Sequence, residues 1–441
     1  MKKILNIIIV ILVVLFYAMI LTSCEKDLID DIDDIVENTT EILVHTHEIQ
    51  PPNSVTTRNL EATINWSQAN LYYSIGDIEY LLVPGGGTQS KTHPILFKKQ
   101  NNKWNIHKVF TNVEMEGIRQ GYKIDESTFI MSDAAECYSD ECKTKHGGIV
   151  RPGNFIWLIK VNGDDLSFER IGDETFHHDV TYGDLDLDGD MDIISTDGRI
   201  YYQTPSGWEK DVNWQNTNHG TVFFAIEILD LDGGYPEIIQ ASYLNSIRWK
   251  HGFRILKRND DGYYEEVHSI TESLINSYGG EYGASKLESI DINYDGIKDL
   301  IIEREGTGIS GRTVEIYFGN GGYNFIPNQL ITNNGNTPWT KHDLLDINND
   351  GFLDIVFSAS GFGSGLRLGN TFEEGFQLQN LIYINDGFGS FNKINKELIS
   401  RSSATLYKFV PHLDKENNLT FQGGLVENNK LYFSEVIIKN L

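Results

Sequence analysis

The sequence predicts an all-β chain, a β-propeller of seven blades with four antiparallel strands each, and three observations carry that expectation. The first is a nine-residue pattern, D-x-[DN]-x-D-G-x-x-D followed by an aliphatic run. It stands at residues 184–192 (DLDLDGDMD), 291–299 (DINYDGIKD) and 346–354 (DINNDGFLD), with a worn copy one residue short at 230–237 (DLDGGYPE). The second is a hairpin signature, in which an aliphatic strand leads through a turn rich in Asn, Asp or Gly to an aromatic or bulky residue. It reads FKKQNNKWNIHKV (97–109), LIKVNGDDLSFERI (158–171), YYQTPSGWEKDV (201–212), ILKRNDDGYYEEV (255–267), IYFGNGGYNFIP (316–327) and IYINDGFGSFNKI (382–394). The third is spacing. Aligned together, the signatures give seven units whose inner loops start near Asp77, Asp125, Asp184, Asp230, Asp291, Asp346 and Asp414. Each unit has room for four short strands, and radial repetition of four-stranded sheets is a propeller. The first two units and the last lack the metal pattern, so six and eight blades stay open. The last unit is short of a strand, which residues 60–66 (LEATINW) are expected to supply.

The nine-residue pattern has a chemical logic. Ca²⁺ takes six to eight oxygen ligands, and side chains at positions 1, 3 and 5 of a tight loop point inward together, while Gly at position 6 permits the turn. The ligands expected are Asp184, Asp186, Asp188 and Asp192 in the first loop, Asp291, Asn293, Asp295 and Asp299 in the next, and Asp346, Asn348, Asp350 and Asp354 in the last. Position 7 (Asp190, Ile297, Phe352) would offer a backbone carbonyl. The worn copy leaves Asp230, Asp232 and Glu237, without an acid at position 5; it is read either as a fourth site or as a turn that has lost its metal. An EF-hand is excluded, because it needs a bidentate Glu at position 12 and a following helix. Here position 12 is Ser195, Ile302 or Phe357, inside β-prone runs.

These loops and hairpins resemble the FG-GAP/VCBS repeat family, found in integrin α-subunit propellers and many bacterial surface proteins. The resemblance covers roughly residues 67–441. It implies metal on the loop joining the first two strands of a blade. Family members span adhesion, glycan binding, lyases and scaffolding, so membership implies little about activity.

Residues 1–24 read as a targeting segment: Lys2 and Lys3, an apolar run from Ile4 to Leu21, then Leu21-Thr22-Ser23-Cys24, which looks like a lipobox with Cys24 as the lipidated residue. An uncleaved anchor helix is the alternative. Either holds the domain at a membrane outside the cytoplasm, and the lipobox implies an outer-membrane lipoprotein exposed at the cell surface. Residues 25–60 are expected to form a tether, acid-rich from 25 to 37, leaving 61–441 for the propeller. With 63 acidic against 36 basic residues the net charge is −27, which argues against nucleic acid as a partner. Cys137 and Cys142 are the remaining cysteines, and outside the cytoplasm a disulfide between them is the default.

Ligands are expected on the face opposite the metal loops. One set of candidates precedes the innermost strands: His177, His178, Asn218, His219, Tyr282, Lys286, Trp339 and His342, with flat rings and hydrogen-bonding groups suited to sugars, or else serving as channel plugs. A second set is basic, one per unit: Lys91, Arg151, Arg199, Arg248, Arg312, Arg367 and Lys430, which would favour an anionic glycan. The Gly-rich stretches 304–311 and 361–369 lack the following helix that a phosphate loop requires. No H-E-x-x-H or G-x-S-x-G is present. The leading expectation is a non-catalytic, calcium-stabilised protein that binds an extracellular glycan or surface protein. The alternatives are a lyase on uronate-containing glycans, with Lys286 or His219 as first candidates, and a scaffold within an envelope complex.

Overall fold

The computed structural model describes residues 40–52, 60, 63–64, 69–85, 92–134, 153–175, 177–211, 223–242, 251–272, 274, 282–306, 312–332, 339–360, 376–377, 381–394, 399–400, 408–427 and 430–441. They form seven blades of four antiparallel strands. Blade 1 is Leu71–Ile75, Ile78–Val83, Ile95–Gln100 and Lys103–Val109; blade 2 is Ile118–Asp125, Thr128–Asp133, Asn154–Asn162 and Asp165–Thr175. Blade 3 is Val180–Gly183, Asp192–Ser195, Ile200–Thr204 and Gly207–Lys210; blade 4 is Phe223–Leu229, Glu237–Ser242, His251–Arg258 and Tyr264–Glu272. Blade 5 is Tyr282–Ile290, Asp299–Gly306, Arg312–Gly319 and Phe325–Thr332; blade 6 is Trp339–Leu345, Asp354–Ser360, Ile382–Asn385 and Phe391–Lys393. Blade 7 takes Lys408–Leu413, Leu419–Glu427 and Lys430–Lys439 from the end of the chain and Glu41–Ile49 from its beginning. All six hairpins read from the sequence pair as the third and fourth strands of their blades.

The second strands are the most apolar. Asp192–Ser195 and Glu237–Ser242 are buried throughout, and Ile193-Ile194, Ile238-Ile239 and Leu300-Ile301-Ile302 are wholly shielded. Because successive side chains leave opposite faces of a strand, each such strand feeds two hydrophobic clusters, one toward each neighbouring blade. Ile193 packs with Ile130, Leu158 and Val180 between blades 2 and 3, whereas Ile194 packs with Ile226, Ile238 and Leu256 between blades 3 and 4. The same division places Ile239, Phe253, Leu300 and Tyr317 between blades 4 and 5. At the other end, Phe97 and Trp104 meet Leu431 and Phe433 between blades 7 and 1.

Ring closure differs from the sequence expectation. The strand that completes blade 7 is Glu41–Ile49, paired along its whole length with Lys430–Lys439, so the tether expected over 25–60 ends before residue 41. EILVHTHEI is rich in β-branched residues and free of Gly and Pro, which suits an edge strand. Of residues 60–66, the described ones (Leu60, Thr63, Ile64) are helical. Leu60 and Ile64, four apart and so on one helical face, are buried in the cluster between blades 7 and 1.

Closure by the N-terminal strand has a measurable consequence. Ile49 is buried in that same seam, and Ile49→Ala is expected to lower stability by about 2–4 kcal/mol in urea unfolding. A loss under about 0.5 kcal/mol, as for an ordinary surface change, would contradict docking of this strand.

Candidate metal loops and the axial cluster

The three intact acidic loops share one geometry. Each joins the first and second strands of its blade, in blades 3, 5 and 6. The carboxylate at position 1 accepts backbone N–H groups from positions 5 and 6: Asp184 from Asp188 (3.1 Å) and Gly189 (3.0 Å), Asp291 from Asp295 (3.0 Å) and Gly296 (2.9 Å), Asp346 from Asp350 (3.1 Å) and Gly351 (3.0 Å). Position 5 accepts in turn from position 7 at 2.8 Å in every loop. Two backbone features repeat as well. Position 6 is a glycine at φ 92°, 89° and 88°, and position 4 is left-handed although it is Leu187, Tyr294 or Asn349 (φ 63°, 60°, 58°). Only glycine enters that region freely, with Asn the next most tolerant, so Leu187 and Tyr294 are held there by the loop around them. In the first loop, ligand atoms of Asp184, Asp186 and Asp188 come within 4.8 Å of one another. This oxygen-rich set suits a hard divalent cation.

Position 9 does different work. Asp192, Asp299 and Asp354 are fully buried at the head of the second strand. One oxygen accepts the N–H of position 2 (Leu185 2.8 Å, Ile292 2.9 Å, Ile347 3.2 Å), and the other accepts an N–H of the third strand (Gln203 3.1 Å, Gly319 2.9 Å, Asn385 2.9 Å). Burial pushes Asp192 and Asp354 up to about 6, against the pull of these N–H groups. The carboxylate therefore clamps loop and sheet together.

The worn loop of blade 4 keeps part of this plan. Glu237, fully buried, accepts the Leu231 N–H at 2.9 Å, and Asp230 accepts from Gly233 at 2.7 Å. Asp230, Asp232 and Glu237 also converge within 4.8 Å. Here a cation of the chain already stands among them: Lys257 Nζ is bonded to Asp232 and lies 3.8 Å from Glu237.

Several residues expected on a ligand-binding surface lie inside the ring. Lys286 Nζ is 2.9 Å from Glu288 and donates to the His342 carbonyl at 3.0 Å. His342, fully buried, places Nε2 2.8 Å from Glu288 and Nδ1 2.9 Å from Glu303. Glu303 also accepts from the Ser285 hydroxyl at 2.7 Å and the His342 N–H at 2.8 Å. Across the axis, Gln120 of blade 2 donates to the Ser285 carbonyl of blade 5 and accepts from Lys341 of blade 6 at 2.9 Å. Tyr122 donates to Asp179 at 2.7 Å, which joins blades 2 and 3. Burial pushes the His342 imidazole down and Lys286 adds to that, but the bonds to Glu288 and Glu303 outweigh both and leave it above the ordinary histidine value. Burial likewise raises Glu288, yet Lys286 and His342 draw it down to about 2. Glu227, beside Glu288 and Asp179, is driven well above the carboxylate range by desolvation and then by those two charges.

The remaining candidates divide by place. His177 is buried within 3.4 Å of Thr175 Oγ1, and burial lowers its pKa. The His178 carbonyl accepts from the Ser132 hydroxyl at 2.9 Å, and its N–H donates to Thr196 at 3.0 Å. Arg199 lies 3.3 Å from Asp197 and 3.6 Å from Asp173, and Lys430 is 2.9 Å from Glu48. Tyr282, Arg312 and Trp339 open strands of blades 5 and 6, and their side chains lie outside what is described. So do residues Cys24, Lys91, Cys137, Cys142, Arg151, Asn218, His219, Arg248 and Arg367. Sequence reasoning missed Glu288 and Glu303 as partners of Lys286 and His342. The K-x-E spacing of Lys286 and Glu288 on a strand was the available signal, because residues two apart share a face.

The cluster yields a pH prediction. A histidine raised in the fold contributes stability below its unfolded value, near 6.5, and loses it as pH climbs through the folded value. A glutamate held at about 2 contributes above its unfolded value and loses it only in strong acid. Between pH 6.5 and 9, wild-type protein should therefore lose more melting temperature than His342→Gln. Parallel curves for the two would contradict a charged His342.

A family model described as "FG-GAP-like repeat" matches residues 291–357, which span the loops of blades 5 and 6. No curated protein matches the chain. Among solved structures, a candidate 6-phosphogluconolactonase from Bacteroides uniformis is similar at a TM-score of 0.44 and 10% identity, covering 76% of this chain and 85% of that one. Identity so low carries nothing about activity. The repeat match lies on two of the three intact loops, and the chain is a seven-bladed β-propeller that carries FG-GAP-like repeat sequence in blades 5 and 6.

Proposed function

We propose that this propeller is a calcium-stabilised, non-catalytic binding module, held outside the cytoplasm by lipid on Cys24, that takes an extracellular glycan or surface protein on the face opposite its metal loops. The observation that carries the calcium reading is the threefold repeat of one loop geometry. In the blade 3 loop the carboxylates of positions 1, 3 and 5 converge, in all three loops position 1 accepts N–H groups of the loop itself, and among the described residues no Lys or Arg forms a salt bridge with these acids. Carboxylates gathered without a counter-ion repel one another, and a divalent cation removes that repulsion. The non-catalytic reading is supported by Lys286, the first candidate for a lyase base. Its ammonium is buried and bonded to Glu288 and a carbonyl, a setting that raises its pKa despite burial, whereas a general base needs the neutral amine. An anionic ligand draws no support from Arg199 and Lys430, both paired with acids, so the ligand class stays at glycan or protein.

Chelation should lower the melting temperature. Each site filled at a hundred times its dissociation constant adds about 2.7 kcal/mol, and Asp188→Ala, Asp295→Ala and Asp350→Ala should each remove one bound calcium. Full calcium content in all three variants would contradict the assignment. Glycan arrays and pull-downs with the intact protein test the binding role; turnover of a polysaccharide with unsaturated product, read by ultraviolet absorbance, would replace it with the lyase.

A further inference from the structure

We propose that the fourth acidic loop, residues 230–237, is closed by an internal cation, the Lys257 ammonium, in the place where blades 3, 5 and 6 hold a metal ion. The comparison with those blades rests on the calcium reading above; the closure of blade 4 by lysine does not. The first observation is contact. Lys257 Nζ is bonded to Asp232 and lies 3.8 Å from Glu237 Oε1. Tyr323, from the outer turn of blade 5, donates its hydroxyl to Asp232 at 2.7 Å and to Glu237 at 3.2 Å. Two carboxylates, one ammonium and one hydroxyl thus form a closed set that spans two blades.

The second observation is register, and it is independent of side-chain contact. The residue that follows the clamp carboxylate pairs across to the third strand as Ile193 with Tyr201, Leu300 with Tyr317 and Ile355 with Tyr383 in the blades with intact loops, and as Ile238 with Leu256 in blade 4. The next position of the third strand is Tyr202, Phe318 or Ile384 in the first three and Lys257 in the fourth. A cation therefore appears at this position in the one blade whose loop lacks an acid at position 5 and is a residue short. The longer Glu237 fits the same account. One of its oxygens keeps the Leu231 N–H, as the aspartates do, and the other turns to Lys257 and Tyr323. A metal entering this loop would find an ammonium already among its acids.

Calcium content decides it, measured by elemental analysis of the full chain after dialysis against millimolar calcium. Wild-type protein is expected to hold three ions and Lys257→Gln four. Lys257→Arg should hold three, because the positive charge is kept, and Lys257→Gln with Asp232→Asn should return to three. A second variant avoids any folding defect in Lys257→Gln: Asp232→Asn alone should leave the wild-type content unchanged, whereas Asp188→Ala lowers it by one. A wild-type content of four, a loss of one ion in Asp232→Asn, or no gain in Lys257→Gln would each overturn the proposal. If the wild type holds fewer than three, the calcium reading fails at an intact loop; the lysine inference is then decided by whether Lys257→Gln gains one ion over wild type.

Discussion

One buried carboxylate in each of blades 3, 5 and 6 holds the acidic loop of that blade in shape. Asp192, Asp299 and Asp354 each bridge the loop at position 2 and the third strand, so a single side chain fixes how the loop leaves the sheet. Position 2 is itself apolar and shielded (Leu185, Ile292, Ile347), which pins the loop from below. Between these anchors, positions 1, 3 and 5 have little choice but to face inward, and the backbone must pass through the left-handed region at positions 4 and 6. Desolvating a carboxylate is costly, and two backbone N–H groups offset part of that cost. The clamp survives in blade 4, where Glu237 still takes its N–H although the loop above it has changed.

Such constraints explain what the sequence disclosed. The nine-residue pattern was legible because geometry demands acids and a glycine at set places, and every loop start read from it marks a turn between first and second strands. The hairpins were legible because their turns need Asn, Asp or Gly between apolar runs. The closing strand Glu41–Ile49 was not, since nothing in its nine residues reveals that its partner lies almost four hundred residues away. Lys286 and His342 were found as polar residues of innermost strands, but strand position alone does not say whether a side chain meets solvent or the axis. The answer came from Glu288 and Glu303, acids on the same and the adjacent strand. Lys257 was invisible for a similar reason, because its meaning appears only when the registers of four blades are aligned.

Charge is managed differently along the two ends of the inner strands. On the axis, Gln120, Lys341, Lys286, Glu288 and His342 bind blades 2, 5 and 6 across the ring. Buried ion pairs of this kind add little net stability, since desolvation consumes most of the attraction. Breaking one leaves an uncompensated buried charge, however, which is strongly destabilising. The hydrophobic clusters between blades supply the cohesion.

The net charge of −27 can then be divided by asking where the chain supplies its own cation. At the seam of blades 7 and 1, Lys99 reaches both Glu79 (2.8 Å) and Glu435 (2.9 Å), and Trp104 donates to Glu435 at 3.0 Å. Between blades 1 and 2, Lys98 meets Asp164 at 2.9 Å. In blade 7 the Asn418 amide spans both oxygens of Asp414, at 3.2 and 3.0 Å, so that turn closes with no cation at all. Among the described residues no Lys or Arg forms a salt bridge with the loop acids at positions 1, 3 and 5 of blades 3, 5 and 6, although the Asn293 amide donates to Asp295 (3.1 Å) and the Asn348 amide to Asp350 (2.8 Å). These acids are ordered by backbone N–H groups, which orient a carboxylate but cannot cancel its charge. An acidic excess spread evenly would need only salt to screen it; here part of it is concentrated at three loops that share one backbone geometry.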